Sequence, residues 1–347
     1  MTQNNYFNNI EDRNIHKNND ILKRSEIIYS SINTLSESFF SNRRLPLIKM
    51  NGPKDGPVIW LTGCIHGDEI GGIAVIQEVF KYLKKTGLLC GVVYAFPLMN
   101  PIGFETSSRS ISPNEEDLNR SFPGDKEGTP AERIANTIFS FIKNTSPTMV
   151  LDLHNDWVNS IPHVLIDPYP GVKHKDAYDK LKLYSAQLGF VVINEAEDDS
   201  DSEKLKKSLS GSLLANDIPA LTIELGGKYI INKKEIEDGI NSILNILSFF
   251  NMIPPREKVF TSETGTILKN KILKYSHRPL CPTSGIVRFL VKQGDIVNKG
   301  QPIARIYDIF GRSKETMFAQ RDCLILGLSD SSVALPGLPV ISMGIMR

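Results

Sequence analysis

Val58-Ile-Trp-Leu-Thr-Gly-Cys-Ile-His66-Gly-Asp-Glu69 is the stretch on which the fold turns. Val58 to Thr62 are apolar, aromatic or β-branched and predict a strand, and Gly63 opens a turn. From Glu69 to Lys85 the apolar residues Ile70, Ile73, Ala74, Ile76, Val79, Phe80 and Leu83 recur close to helical spacing. A strand that runs through a short turn into a helix is the repeating unit of an α/β fold.

Outward from this unit the pattern recurs. Strands are predicted at Leu89 to Pro97, Met149 to His154, Val164 to Ile166 and Ala220 to Leu225, and helices near Ala131 to Asn144, Tyr178 to Leu188 and Lys234 to Asn251. The alternation from about Pro57 to Pro254 predicts a mixed, largely parallel sheet flanked by helices. After Pro254-Pro255 helical periodicity fades into short apolar segments separated by Gly, Pro, Asn and Asp, which predicts a smaller C-terminal all-β domain. Its Cys281-Pro-Thr-Ser-Gly-Ile-Val, Val291-Lys-Gln-Gly-Asp-Ile-Val and Lys299-Gly-Gln-Pro-Ile-Ala resemble the hairpin turns of biotinyl and lipoyl carrier domains, without an attachment lysine. The expected organisation is a loosely packed leader over 1–20, an α/β domain over 21–255 and a β-rich domain over 256–347.

At 347 residues and 41% hydrophobic composition the chain can bury more than one core. Forty basic residues against thirty-nine acidic ones leave no global field for nucleic acid or an anionic membrane. The longest largely apolar stretch, Gly87 to Met99, is interrupted by Pro97 and falls short of the roughly 20 residues that cross a bilayer. The polar first twenty residues lack a signal-peptide core, and Cys64, Cys90, Cys281 and Cys323 form no disulfide framework, so a cytoplasmic protein is expected. Homo-oligomerisation stays open, with the β domain as one surface for it.

Four segments collect chemistry. His66 and Glu69 flank a turn between strand and helix, where an imidazole nitrogen and a carboxylate oxygen can meet at one zinc ion; the alternative is a loop histidine and a first-turn carboxylate facing the helix dipole. Val150-Leu-Asp152-Leu-His154 places a second histidine at a strand end, with Asp152 on the same face. Together, His66, Glu69 and His154 make a two-histidine, one-carboxylate set with an open fourth position, as catalytic zinc requires. Glu224 stands inside the apolar strand Ala220-Leu-Thr-Ile-Glu224-Leu-Gly-Gly and needs a metal, a cation such as Lys228, or a raised pKa. Asp117-Leu-Asn119-Arg120-Ser-Phe-Pro-Gly shares a long loop with Arg109, and Asn119 with Arg120 suits a substrate carboxylate. Cys64 could offer a thiolate to the same metal or be a small buried hydrophobe.

In order, His66-x-x-Glu69, Arg109, Asp117-Leu-Asn-Arg120, His154 and Glu224 resemble the zinc carboxypeptidase superfamily, and the H-G-D-E, D-L-N-R-S-F-P-G, D-L-H and E-L-G-G segments are most similar to its succinylglutamate desuccinylase and aspartoacylase family. The resemblance spans roughly residues 50 to 345. It implies a zinc carboxypeptidase-like fold and one Zn2+ per chain on His66, Glu69 and His154, with Asp117 orienting the His66 imidazole. It also implies Glu224 as general base, Arg109 as the cation that polarises the carbonyl, and Asn119 with Arg120 as the carboxylate clamp. One departure is that carboxypeptidases carry a loop tyrosine before the catalytic glutamate, whereas Asp198 to Leu214 contains none. The run Glu195-Ala-Glu-Asp-Asp-Ser-Asp-Ser-Glu203 has six acidic residues among nine; it is a solvated loop or, if it borders the pocket, a sign of a substrate with a free amine.

The expected activity is hydrolysis of the amide bond of a small N-acylated amino acid, probed against two alternatives. One is a carboxypeptidase or amidase acting on a small or modified peptide. The other is a non-catalytic metal- and partner-binding protein, which has no need of Glu224 or Arg109.

Overall fold

Three strands are buried along nearly their whole length: β3 (Val58–Gly63), β5 (Met149–Asp156) and β9 (Ala220–Gly227). Near-continuous apolar sequence is what a parallel strand covered on both faces requires. The computed structural model describes residues 26–33, 44–111, 115–195 and 204–346. The other strands are β1 (Ile27–Asn33), β2 (Arg44–Asn51), β4 (Val92–Phe96), β6 (Asn159–Ser160), β7 (His163–Ile166), β8 (Val192–Asn194), β10 (Ile272–Ser276), β11 (Gly285–Phe289), β12 (Ile296–Val297), β13 (Pro302–Tyr307), β14 (Ser313–Phe318), β15 (Cys323–Leu328), β16 (Val333–Ala334) and β17 (Ile341–Ile345). The helices are α1 (Gly71–Thr86), α2 (Pro101–Thr106), α3 (Pro130–Asn144), α4 (Lys175–Ser185), α5 (Leu209–Leu214), α6 (Lys233–Phe249) and α7 (Glu263–Ile267).

The main sheet runs β1-β2-β4-β3-β5-β9-β7-β8-β10-β17-β15-β12, with β6 against β15. Its centre, β4-β3-β5-β9, is parallel, β7 reverses against β9, and β8 and β10 then run parallel to β7. A second, antiparallel sheet has the order β14-β13-β11-β16. The chain is therefore mixed α/β with a small antiparallel sheet near its C-terminus. The predicted strands and long helices form within a few residues of their expected limits, whereas β1, β2 and β8 carry too little pattern to be foreseen. The β-rich tail after Pro255 divides between the two sheets: β10, β12, β15 and β17 extend the main one. The leader expected over 1–20 lies outside the described residues.

Because side chains alternate across a strand, each central strand serves two cores. Ile59, Leu61, Leu151, Leu153, Leu221 and Ile223 face α1, α4 and α6, whereas Trp60, Val150 and Ala220 face α3 and α5. Helix α3 begins with a full capping box at Thr129 and Glu132. On its face of the sheet the apolar cover stops partway along the strands. The next residues on that face are Thr62, Asp152, His154, Thr222 and Glu224, in register across β3, β5 and β9. The site is thus the uncovered continuation of a core surface.

Phe80 is fully buried where α1 packs on the sheet. Phe80→Ala should lower unfolding free energy by about 3–5 kcal/mol, as measured by urea denaturation.

Candidate metal centre

His66 and Glu69 leave β3 in a tight turn in which the Glu69 amide donates to the His66 carbonyl at 3.1 Å. The turn is pressed against α2: a Cβ on Gly67 would stand 1.8 Å from the Gly103 carbonyl carbon, so glycine is required there. Helix α1 has no side-chain cap of its own. Asn155 supplies one from β5, its Oδ1 accepting from Gly71 N at 2.9 Å while its Nδ2 donates to the Gly226 and Gly227 carbonyls. The His66 turn, the start of α1 and the end of β9 are therefore tied by one asparagine.

The Glu69 carboxylate lies between two imidazoles. Oε1 is 2.6 Å from His66 Nδ1 and Oε2 is 2.9 Å from His154 Nδ1. All three residues are buried, and their potential ligand atoms lie within 4.8 Å of one another. The opposite ring nitrogens are held by carboxylates, His66 Nε2 by Asp117 at 3.2 Å and His154 Nε2 by Asp152 at 2.9 Å. Thr62 donates to the other oxygen of Asp152 at 2.6 Å. In a neutral imidazole, a carboxylate at Nε2 holds the ring proton there and leaves the Nδ1 lone pair for a cation at the common centre. Two neutral imidazoles and one carboxylate are the donor set that zinc accepts.

Taken as charged groups, the same side chains pair strongly. Burial would raise the Glu69 carboxyl, but the His66 and His154 imidazoles, by charge and hydrogen bond, hold it well below the usual carboxylate range. Burial would lower His154, yet Asp152 and Glu69 hold it well above the usual value. Asp117 is likewise depressed, burial being outweighed by His66 and then Arg109. Cys64, in contrast, is pushed up to about 12 by burial, with Glu69 and Asp68 adding, and stays a thiol.

Glu224 is level with His154 on β5 and with His163 on β7. Its Oε2 is buried and has no hydrogen-bond partner among the described residues. Burial raises the carboxyl well above its ordinary value, with His154 opposing and Asp156, Glu69 and Glu195 adding. The lysine that could have paired with it, Lys228, is instead directed to Asp68 and Asp330. Arg109 forks onto Asp117 Oδ2 with its Nε and Nη2 at 3.2 and 3.0 Å, and its Nη1 stands 3.5 Å from Glu69 Oε1. Asn119 uses its Oδ1 to accept from Leu209 N at the start of α5, at 2.9 Å, and Arg120 donates to the Asn119 carbonyl at 2.7 Å.

A cavity of about 410 Å³ is lined by His66, Glu69, Arg109, Asn119, Arg120, His154 and Glu224. Asp117 lies behind His66 as the support of its ring. His163 also lines the cavity, as do residues that motif reading did not find: Trp157, Ser208, Ser210, and Tyr275 with His277 from the C-terminal part of the chain. Tyr275 Oη and His277 Nε2 are 2.9 Å apart. Of the acidic run, Glu195 lines the cavity; residues 196–203 lie outside the described residues. Asp152, visible on the His154 face, and Asn155, the next residue in the strand, could have been suspected from their positions; the others come from distant segments. Among the described residues no helix is long and apolar enough to cross a membrane.

A family model, the succinylglutamate desuccinylase/aspartoacylase catalytic domain, matches residues 55–250, the span that carries every residue of this cluster. Among curated proteins, the N-alpha-acetyl-L-2,4-diaminobutyric acid deacetylase of Halomonas elongata is 27% identical over 270 residues, 74% of this chain and 72% of the relative. Among solved structures, the product-bound ectoine utilization protein EutE (DoeB) from Ruegeria pomeroyi is similar at a TM-score of 0.74 and 20% identity, over 94% of this chain and 98% of that one. An aspartoacylase family protein from Mesorhizobium loti is similar at a TM-score of 0.73 and 18% identity, over 93% and 96%. At such identities the structural likeness bears on the fold.

If Asp152 orients His154 for a metal, Asp152→Asn should weaken zinc binding by about 10–100-fold with the circular dichroism spectrum retained, as read by chelator competition. Unchanged affinity would remove Asp152 from that role.

Proposed function

Because the chain belongs to the succinylglutamate desuccinylase/aspartoacylase family, we propose that it is a zinc-dependent hydrolase that cleaves the amide bond of a small N-acylated amino acid. The observation that carries this reading is the pairing of the His66, Glu69 and His154 cluster with the unpartnered oxygen of Glu224 beside it. A closed structural site would have no use for that carboxylate. The Halomonas elongata relative is a deacetylase of an N-acetyl amino acid, which supports the same substrate class here. A cavity of about 410 Å³ fits a small molecule, and this favours it over an extended peptide.

Zinc held by His66, Glu69 and His154 would supply a Lewis acid for the amide carbonyl and lower the pKa of water from about 15.7 towards about 7. Glu224 does the proton work. Burial holds its carboxyl above the ordinary carboxylate range, which makes it a stronger base towards the attacking water, and the proton it takes passes to the leaving amine. Arg109, anchored by Asp117 and still half-exposed towards the cavity, places positive charge where the carbonyl oxygen becomes negative. Arg120 offers its guanidinium to the substrate carboxylate, and Asn119, whose Oδ1 is committed to α5, offers its amide N–H.

The decisive experiment combines metal analysis of the purified protein with a screen of N-acetyl, N-succinyl and N-formyl amino acids against dipeptides. Turnover of dipeptides alone would replace the deacylase reading with a peptidase one. Glu224→Gln should bind zinc like the parent and lose nearly all hydrolysis; parental turnover would exclude it as the base. Arg109→Ala should stay folded and lose on the order of 100-fold to 1,000-fold in kcat. Arg120→Met should impair substrates with a free carboxylate far more than their amides, and equal losses would count against the clamp.

A further inference from the structure

His163, the first residue of β7, is 1% exposed and lines the same cavity as Glu224. The ladders put His154, Glu224 and His163 in one row across β5, β9 and β7. Glu224 thus stands between an imidazole of the metal cluster and an imidazole outside it. Directly opposed residues of an antiparallel pair share a face, with Cβ atoms about 4.5–5.5 Å apart. His163 therefore neighbours Glu224 without joining the cluster of His66, Glu69 and His154.

The tautomer of His163 is set by the backbone. Its Nδ1 is 2.9 Å from the Ile161 carbonyl oxygen, and a carbonyl only accepts, so Nδ1 carries the ring proton. Burial lowers the imidazole below its usual pKa, with Asp156 and the Ile161 carbonyl opposing, so near neutral pH the ring is uncharged and Nε2 holds a lone pair. Among the described residues Nε2 has no hydrogen-bond partner. The Glu224 carboxylate is an acceptor too, and its Oε2 is likewise without a partner. Two acceptors beside one space call for a group that brings a hydrogen to each. Amide hydrolysis generates such a group. The bond from the water oxygen to the carbonyl carbon forms, Glu224 takes a proton from that water, and the carbon–nitrogen bond breaks with its electron pair left on nitrogen, where Glu224 returns the proton. The nitrogen then carries the hydrogen it brought and the one delivered. As the planar carbonyl becomes tetrahedral, the N–H and the nitrogen lone pair diverge, so the lone pair faces Glu224 only when the N–H is turned elsewhere.

We propose that His163 is a catalytic residue whose Nε2 accepts the hydrogen bond of the scissile N–H and so turns the nitrogen lone pair towards Glu224 for protonation. This inference rests on the hydrolase reading above and adds the group that orients the leaving nitrogen. An ester, which has no N–H at the scissile position, gains nothing from His163.

The test uses the zinc-loaded full chain and a matched pair of probes, an N-acetyl amino acid turned over in the screen and the acetyl ester of the corresponding hydroxy acid; for an alanine skeleton these are N-acetylalanine and O-acetyllactate. His163→Asn keeps an amide that can donate to the Ile161 carbonyl and lacks an acceptor at the Nε2 position. It should lose about 10–100-fold in kcat on the amide and far less on the ester. His163→Gln, whose carbonyl oxygen reaches the Nε2 position, should recover part of the loss on the amide alone. Equal losses on amide and ester in both variants, or an amide rate that neither variant lowers, would overturn the role. With six histidines in the sequence, 1H–15N spectra of histidine-labelled protein give a readout without turnover, His163 being assigned by its disappearance in His163→Asn. At neutral pH Nδ1 should be protonated and Nε2 bare, and the Nε2 signal should move on adding alanine and not on adding propionate. Should no N-acyl amino acid be hydrolysed, the hydrolase reading fails by itself and these spectra decide whether His163 is an acceptor for an amine. A shift with alanine alone supports it, and a protonated Nε2 or an unmoved signal overturns it.

Discussion

Everything at the site follows from one carboxylate shared by two imidazoles. Glu69 can sit between His66 and His154 because each ring is turned by a second carboxylate behind it. Asp117, Asp152 and Glu69 bring three negative charges to a buried region, and Arg109 brings one positive charge to its rim. The deficit that remains is one that a divalent cation would close. Burial disfavours both charged forms, and the attraction between carboxylates and imidazoles overcomes it, so Glu69 falls below its ordinary pKa and His154 rises above its own.

The sheet supplies the positions without dedicated scaffolding. One face of β3, β5 and β9 is apolar where α3 and α5 cover it and polar where the cover ends, so a single change of side-chain type along three adjacent strands converts core into site. Trp60, stacked on Tyr94 with centroids 4.8 Å apart, marks the core side of that boundary. Thr62, two residues further along β3, marks the other side by donating to Asp152. Rigid strands place ligands more exactly than loops do, and the one ligand-bearing turn is locked by the close approach of Gly67 to Gly103 and by the Asn155 tie.

The sequence made the chemistry legible wherever it was local. The β3 turn into α1, the D-L-H strand and the E-L-G-G strand each join a hydrophobic run to a polar residue at its end, and that contrast survives in one dimension. His66, Glu69, His154 and Glu224 were accessible for that reason, and they do converge. The supporting contacts were harder. Asn155 reads as a strand residue until its cap on α1 is seen, and nothing in the stretch around His163 reveals that it will stand beside Glu224. Such juxtapositions depend on register between strands far apart in sequence, and β-branched content alone does not encode register. For the same reason the tail after Pro255 read as a body apart, although its strand β10 pairs with β8 and carries Tyr275 into the cavity.

That pairing separates two jobs within one sheet. The candidate metal cluster and Glu224 stand at the ends of β3, β5 and β9, whereas β7 and β10 bring His163, Leu165 and Tyr275 to the same cavity. Changes in the second group can reshape the cavity at a distance from the candidate metal cluster, whose own hydrogen bonds run among Thr62, His66, Glu69, Asp117, Asp152 and His154.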